Sequence, residues 1–372
     1  MDKSPSSRKR KVALCGFYGK QNAGDALLQY HLSLFLESDG ACEVTAYSDA
    51  NWGGAAKSVG NSHLDADVVV IGGGGVVLPD FWALRPESLD ALIASRKVVA
   101  FVNVNIPEYA FRDAAFVAKL KALEAFWWVR DEASLALLRE QGMGGFYLPD
   151  VAFRAGVAPP RRSHAGPKRL TLFLNHYVFA ELSKPACGGL SFLTTLRALH
   201  LIADYVSWMT DFGWHVTLFP SQTSADNDDR VWGGQLYGLC RNKHRVKWLK
   251  GTPDWREMTK IIASSDLVVS TRFHSTALAM ASGVPFVDIT HHAKNREMLK
   301  DAGCLACSIE YDELCHRHFV EATVRAESGS VTTAVAEYSA LAQARWIDFK
   351  RQWAYLIAHL ETTPTLETEH TP

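Results

Sequence analysis

Short apolar runs rich in valine and isoleucine alternate along this chain with longer stretches in which apolar residues recur every three or four positions. The first pattern is that of a strand buried on both faces and the second that of an amphipathic helix, so the alternation predicts parallel sheets covered by helices. It occurs twice. The first series predicts strands near 12–17, 43–47, 68–71, 98–102 and 126–129, with helices over 25–36, 114–123 and 132–141. The second predicts strands at 169–174, 214–219, 246–249, 267–270 and 285–289, with helices over 192–212, 255–263 and 275–282. From 332 to 360 one long helical pattern rich in Ala, Tyr, Trp and Leu closes the chain.

Between the two series, residues 154–168 carry glycine, proline and loose positive charge with no hydrophobic period, which reads as a linker. The expected organisation is a disordered basic tail at 1–10 and a Rossmann-like domain at 11–155. A linker at 156–168 leads to a second Rossmann-like domain at 169–328. A helix at 329–361 packs across both domains, and a disordered tail occupies 362–372. At 372 residues, with 48% hydrophobic and 21% charged, the chain is long enough for two such cores. Lys and Arg total 39 against 40 for Asp and Glu, so no global field favours nucleic acid or an anionic membrane. The longest apolar runs are strand-sized, far short of the roughly 20 residues that span a bilayer. Seven cysteines in apolar surroundings suit a reducing cytoplasm better than a disulfide framework. The basic run at 6–11 reads as solvated, with a nuclear-localisation signal as the alternative.

Ligands of open parallel sheets bind outside the carboxyl ends of the strands, so the loops there carry the candidate chemistry. The loop after the first predicted strand, Gly16-Phe-Tyr-Gly19-Lys-Gln-Asn22-Ala-Gly24-Asp25, opens into a helix. Its glycines and free helical N–H groups suit an anion or a sugar hydroxyl, with Asn22, Gly24 and Asp25 lining the site. The alternative is a tight turn capped by Asp25. The third strand ends in Gly72-Gly-Gly-Gly75, which predicts close backbone approach to a ligand or to the opposing domain. Gly73, Gly74, Gly75 and Asp80 are the cleft-lining candidates there. Arg130 follows the fifth strand in Arg130-Asp131-Glu132-Ala133-Ser134, and both a structural ion pair and a cleft role fit it. The sharpest signal is the strand ending in Ser270, followed by Arg272, His274 and Ser275. A guanidinium there can hold phosphate or carboxylate and an imidazole beside it can transfer a proton. His291, His292 and Lys294 add positive charge behind the next strand, and Asn175 and His176 end the second domain's first strand. Cys304, Cys307 and Cys315, with His316 and His318 near them, read as buried thiols, with a zinc site as the alternative and no metal site expected. Trp52, Phe81, Trp82 and Tyr109 are aromatics of the first domain that either stack on sugar rings or belong to the core.

Taken in order, loop 16–25, loop 72–80, the segment 130–134, Pro149-Asp150 and Ser270-Thr-Arg-Phe-His274 resemble the polysaccharide pyruvyl transferase family, over about residues 12–300. The family's common Arg-Leu-His stands here as Arg272-Phe273-His274, and Lys294 matches a lysine usual after the next strand. His291-His292 replaces that strand's usual Tyr-Asp pair. The resemblance implies a GT-B-like fold, in which two Rossmann-like domains with parallel sheets face a central cleft, followed by the long C-terminal helix. It further implies transfer of a carboxyethylidene group from phosphoenolpyruvate to two hydroxyls of a sugar, in a polysaccharide or its lipid-linked precursor, with release of phosphate. His274 would be the general acid and Arg272 the residue that stabilises the departing phosphate. Arg272, Lys294, Arg130, Ser270, Ser275 and His176 would hold the donor, and the first domain would take the acceptor. No cofactor beyond phosphoenolpyruvate as co-substrate, no metal and no nucleic acid are implied. The chain would work in the cytoplasm, with at most peripheral contact at the inner face of the membrane. The rival readings are a GT-B glycosyltransferase using a nucleotide sugar, and a non-catalytic sugar-binding or assembly subunit.

Overall fold

A computed structural model describes residues 8–49, 57–58, 61–156, 166–175, 190–225, 227–252 and 254–360. The chain forms two compact units, one from residues 1–20, 28–151 and 342–372 and the other from 21–27 and 152–341. The first unit's central segment ends at 151, where the sequence reading has the first domain end at 155. Loop residues 21–27 go with the second unit, and the chain from Ala342 onward goes with the first. Of the predicted tails at 1–10 and 362–372, residues 1–7 and 362–372 lie outside the described residues, as do 157–165 of the predicted linker, while Arg10 belongs to the first strand rather than to a tail.

In the first unit β1 (Arg10–Cys15) leads to α1 (Ala23–Leu36), β2 (Cys42–Ser48), β3 (Lys57–Ser58) and β4 (Val68–Gly74). There follow α2 (Pro86–Ser95), β5 (Val98–Val104), α3 (Ala114–Ala122), β6 (Phe126–Val129), α4 (Glu132–Glu140) and β7 (Phe146–Tyr147). The strands form one parallel sheet in the order β3-β2-β1-β4-β5-β6-β7. β4 is buried at every position, as a strand covered on both faces must be. The strand order reverses between β1 and β4, which places loops 16–24 and 72–80 on either side of the switch.

The second unit contains α5 (Ala152–Ala155), β8 (Arg169–Phe173), α6 (Leu190–Asp211), β9 (His215–Leu218), and the small pair β10 (Thr223–Ser224) and β11 (Asn227–Asp228). It continues with α7 (Asp229–Leu239), β12 (Val246–Trp248), α8 (Trp255–Ala263), β13 (Leu267–Ser270) and α9 (Phe273–Ala281). β14 (Phe286–Thr290), α10 (Ala293–Asp301), β15 (Ser308–Glu310) and α11 (His316–Glu327) complete it. Its parallel sheet runs β12-β9-β8-β13-β14-β15, the order of a dinucleotide-type doubly wound fold, with the reversal between β8 and β13. The last helix, α12 (Thr332–Ala358), begins in the second unit and ends in the first. Its buried positions Val335, Tyr338, Ala342, Trp346, Phe349, Trp353 and Leu356 recur every three or four residues, so one stripe serves both cores.

Candidate active site

The carboxyl ends of β8, β13 and β14 converge in the second unit, and the residues that follow them form one polar group. β13 ends at Ser270, whose hydroxyl accepts from the Arg272 N–H at 2.8 Å and lies 2.6 Å from the Ser275 hydroxyl. Both serines are fully buried, and each donates or can donate to the Arg272 carbonyl at 2.9 Å. Both are donor-binding candidates from the sequence, and in the structure their hydroxyls hold the turn that makes Arg272 the N-cap of α9. The turn thereby projects the Arg272 and His274 side chains from the sheet's switch point.

Asp229 fixes the Arg272 guanidinium. Its carboxylate accepts from Arg272 Nε at 3.2 Å and from Nη2, and its Oδ2 also takes the backbone N–H groups of Ser221 and Gln222 at 2.9 and 3.0 Å. Arg272 Nη1 donates to Gln222 Oε1 at 3.2 Å and Nη2 to Asn227 Oδ1 at 3.3 Å. The Asp229 side chain is 1% exposed and that of Arg272 12%. A guanidinium so surrounded has no rotamer freedom left to lose on meeting an anion.

Loop 21–24 docks on the same network. Asn22 Nδ2 donates to Gln222 Oε1 at 3.1 Å, while Asn22 Oδ1 accepts from the Gly24 and Asp25 N–H groups at 2.9 and 3.3 Å. Asn22 therefore caps α1, not Asp25, which sits in the first turn. A methyl group on Gly24 would collide with His274 Nδ1 and Cγ, so only glycine admits the imidazole against this backbone.

β14 delivers the remaining charge. The buried Asp288 accepts from Thr276 of α9 at 2.6 Å, from Thr290 at 2.6 Å and from Asn295 of α10 at 2.9 Å, tying the starts of two helices to one strand. Burial raises its pKa, and these three donors oppose that shift. His291 and His292 follow β14, with His292 as the N-cap of α10, and Lys294 lies 5.8 Å from the centre of the Phe273 ring. His291 Nε2 is 3.5 Å from Asn175 Nδ2 beyond β8. Burial, then the neighbouring His292 and the Lys294 charge, push His291 down to about 3. Burial, then the Lys294 and Arg272 charges, push His292 down to about 4. At neutral pH the cations here are Lys294 and Arg272, the latter paired with the Asp229 carboxylate, beside two uncharged imidazoles.

The other candidates are placed differently. His176 and Trp52 lie outside the described residues. Arg130 is buried in the first unit, where it donates to Asp150 at 3.1 Å and to Asn105 Oδ1 at 2.5 Å, while Asp131 caps α4 through the Ser134 N–H. Arg130 thus has Asp150 as an ion-pair partner, and Asp131 serves as a helix cap. Asn103, buried in β5 at φ 58°, makes the bulge beside them and binds the carbonyls of Leu148 and Pro149. Gly73 and Gly74 adopt φ 77° and 88°, and a Cβ on Gly73 would lie 3.1 Å from that of Leu28. The close approach foreseen for the glycine run is therefore to helix α1 of the same unit. Gly75 faces Asn105, with 3.4 Å between an added Cβ and Oδ1. Asp80 and Tyr109 are exposed, whereas Phe81 and Trp82 are core residues packed on each other and on Phe17 and His63. Cys304 and Cys307 are buried thiols, pushed up by burial to about 12 and about 11. Among the described residues no three His, Cys, Asp or Glu gather as a metal site.

Sequence reasoning missed Asp229, Gln222 and Asn227. Asp229 opens a helix, where an acid reads as a cap. Asp288, a carboxylate inside an apolar strand, carried a usable signal, since a buried acid must find donors.

A sequence model described as polysaccharide pyruvyl transferase matches residues 17–292. No curated protein matches the chain. Among solved structures, S. aureus MnaA in its UDP co-structure is similar at TM-score 0.62 and 10% identity, over 98% of this chain and 100% of that one. UDP-GlcNAc 2-epimerase from Neisseria meningitidis, bound to UDP-GlcNAc, is similar at TM-score 0.52 and 9% identity, over 89% and 99%. The glycosyltransferase SnogD from Streptomyces nogalater is similar at TM-score 0.50 and 14% identity, over 94% and 99%. At these identities the likeness is one of fold, and the fold is of the GT-B type. Among the described residues no helix is long and apolar enough to cross a membrane.

Proposed function

The chain belongs to the polysaccharide pyruvyl transferase family, a family of transferases that act on a sugar acceptor, and from that premise we propose that its donor is phosphoenolpyruvate, bound at Arg272. The observation that carries this reading is the pre-aligned Arg272 guanidinium beside His274, with Lys294 as the second cation. Phosphoenolpyruvate is small and bears two anionic groups, so leaving water requires fixed cations for both. Neutral His291 and His292 can donate hydrogen bonds there without adding carboxylate repulsion.

In the proposed reaction His274 delivers a proton to the methylene carbon, leaving an oxocarbenium-like centre that one sugar hydroxyl attacks. A second hydroxyl of the same sugar then displaces phosphate, closing the ketal. Of the two hydroxyl protons, one replaces the proton spent on the new methyl group and the other leaves with phosphate. Arg272 stabilises the charge that gathers on the departing phosphate, and because Asp229 already orients it, little reorganisation is needed at that moment. No step calls for a metal.

Calorimetric titration of phosphoenolpyruvate, with UDP- and GDP-sugars in parallel, into the wild type and Arg272→Ala tests this. Saturable phosphoenolpyruvate binding that is lost in the variant is expected. Binding of a nucleotide sugar in its place would overturn the donor assignment in favour of glycosyl transfer. His274→Ala should spare donor binding and abolish turnover; equal loss of both would remove the proton-transfer role.

A further inference from the structure

At the amino-terminal ends of β8, β9 and β12, the end of the second unit's sheet opposite to Arg272, a cavity of about 350 Å³ opens. Arg169, Arg245 and Lys247 line it together with His215 and His244. Among the described residues that line it, none is acidic. On adjoining elements the Asp266 carboxylate accepts the Arg169 backbone N–H at 2.8 Å, and Asp211 pairs with Arg241 at 3.0 Å. The buried hydroxyls of Thr171 and Ser265, also in its lining, bond to one another at 2.7 Å, and Ser265 donates to the Ile261 carbonyl at 2.8 Å, so the cations are what the cavity offers an anion. Arg245 is held by the Gly213 carbonyl at 3.1 Å, which fixes one face of its guanidinium. The chain as a whole carries a net charge of −1, so this concentration of cations is local and not a general basic character.

Three cations around one concave, hydroxyl-bearing surface exceed what a single carboxylate neutralises, and arginine forks match tetrahedral phosphoryl oxygens. We propose that this cavity is a second anion site that takes a ligand carrying two or more phosphoryl charges, separate from the site at Arg272. The same chemistry is offered by a soluble phosphate ester and by a phospholipid headgroup. This inference stands whether or not the donor is phosphoenolpyruvate.

The test uses the full chain carrying Arg272→Ala together with Asp229→Asn, so that the first site is silenced without stranding the buried carboxylate. Tripolyphosphate is titrated calorimetrically, and in a second arm the protein is sedimented with vesicles of phosphatidylcholine and cardiolipin in equal parts, the cardiolipin headgroup carrying two phosphoryl charges. Saturable tripolyphosphate binding that weakens with added salt, and weakens at least about tenfold when the exposed Arg169 and Lys247 are both changed to Gln, is expected for a soluble ligand. Sedimentation with the vesicles, abolished by the same changes and by salt, assigns the lipid headgroup as the source. Partial restoration by Lys247→Arg in the Arg169→Gln background distinguishes charge from a folding defect. Absence of binding in both arms, or binding that ignores the changes at Arg169 and Lys247, overturns the proposal.

Discussion

His291 and His292 sit where burial and nearby cations oppose protonation, and the sign of the consequence follows from linkage. Their folded pKa values, about 3 and about 4, lie below the unfolded value near 6.5, so between these limits the unfolded chain binds more protons. Stability from these residues is complete above pH 6.5 and is lost as pH falls through the folded values. Thermal melts should show the melting temperature falling from pH 6.5 to 4, and His291→Gln/His292→Gln should flatten that slope. Asp229 is the second residue with a sharp expectation. Removing one member of a buried pair strands the other charge, so Asp229→Ala should cost about 3–5 kcal/mol in urea unfolding. Arg317→Ala, which breaks the exposed pair with Glu321, should leave the urea midpoint unchanged. Arg272, His274 and Gly24 were legible in the sequence because their types are chemically conspicuous at strand ends. Asp229, Gln222 and Asn227 were not, because what makes them matter is a contact across some forty to fifty residues that no local pattern encodes.

At the scale of elements, the long strands and helices followed directly from hydrophobic period. β6, α8 and β13 begin and end where the pattern placed them, since a fully buried strand or a strongly two-faced helix leaves little choice. α2, α7, α10 and α11 were not foreseen. α7 contains two adjacent glycines, and α10 has so polar a face that only Asn295, Met298 and Leu299 are buried. Those weak helices are nonetheless what the site is built from, and Asp288 is the tie that holds α9 and α10 to β14. Asp288→Ala leaves Thr290 and Asn295 without the acceptor they use here, and Thr276 with only the Arg272 carbonyl at 3.3 Å. At about 1–3 kcal/mol for each stranded buried donor, it should destabilise the second unit clearly, with donor binding lost in parallel. Retention of both stability and binding would show that the tie is dispensable.

At the scale of the molecule, the doubly wound order of both sheets was implied by the alternation of patterns, but the assignment of chain segments to units was not. Period says that a segment is a helix and not which core it completes. The stripe on α12 reads as continuous, yet Val335 and Tyr338 belong to the second unit and Trp346, Phe349 and Trp353 to the first. Trp346 is fully buried and its indole N–H donates to the Pro149 carbonyl at 2.9 Å, so Trp346→Ala should cost the first unit about 3–5 kcal/mol, measurable by chemical denaturation. The same arrangement bears on synthesis. A first domain made from contiguous chain can close while the ribosome is still translating the second, but this one waits for aromatic residues encoded at the far end of the message. A nascent chain arrested after Leu341 should therefore remain open to protease in residues 28–151, and should become resistant only once translation has passed α12 and the chain has been released.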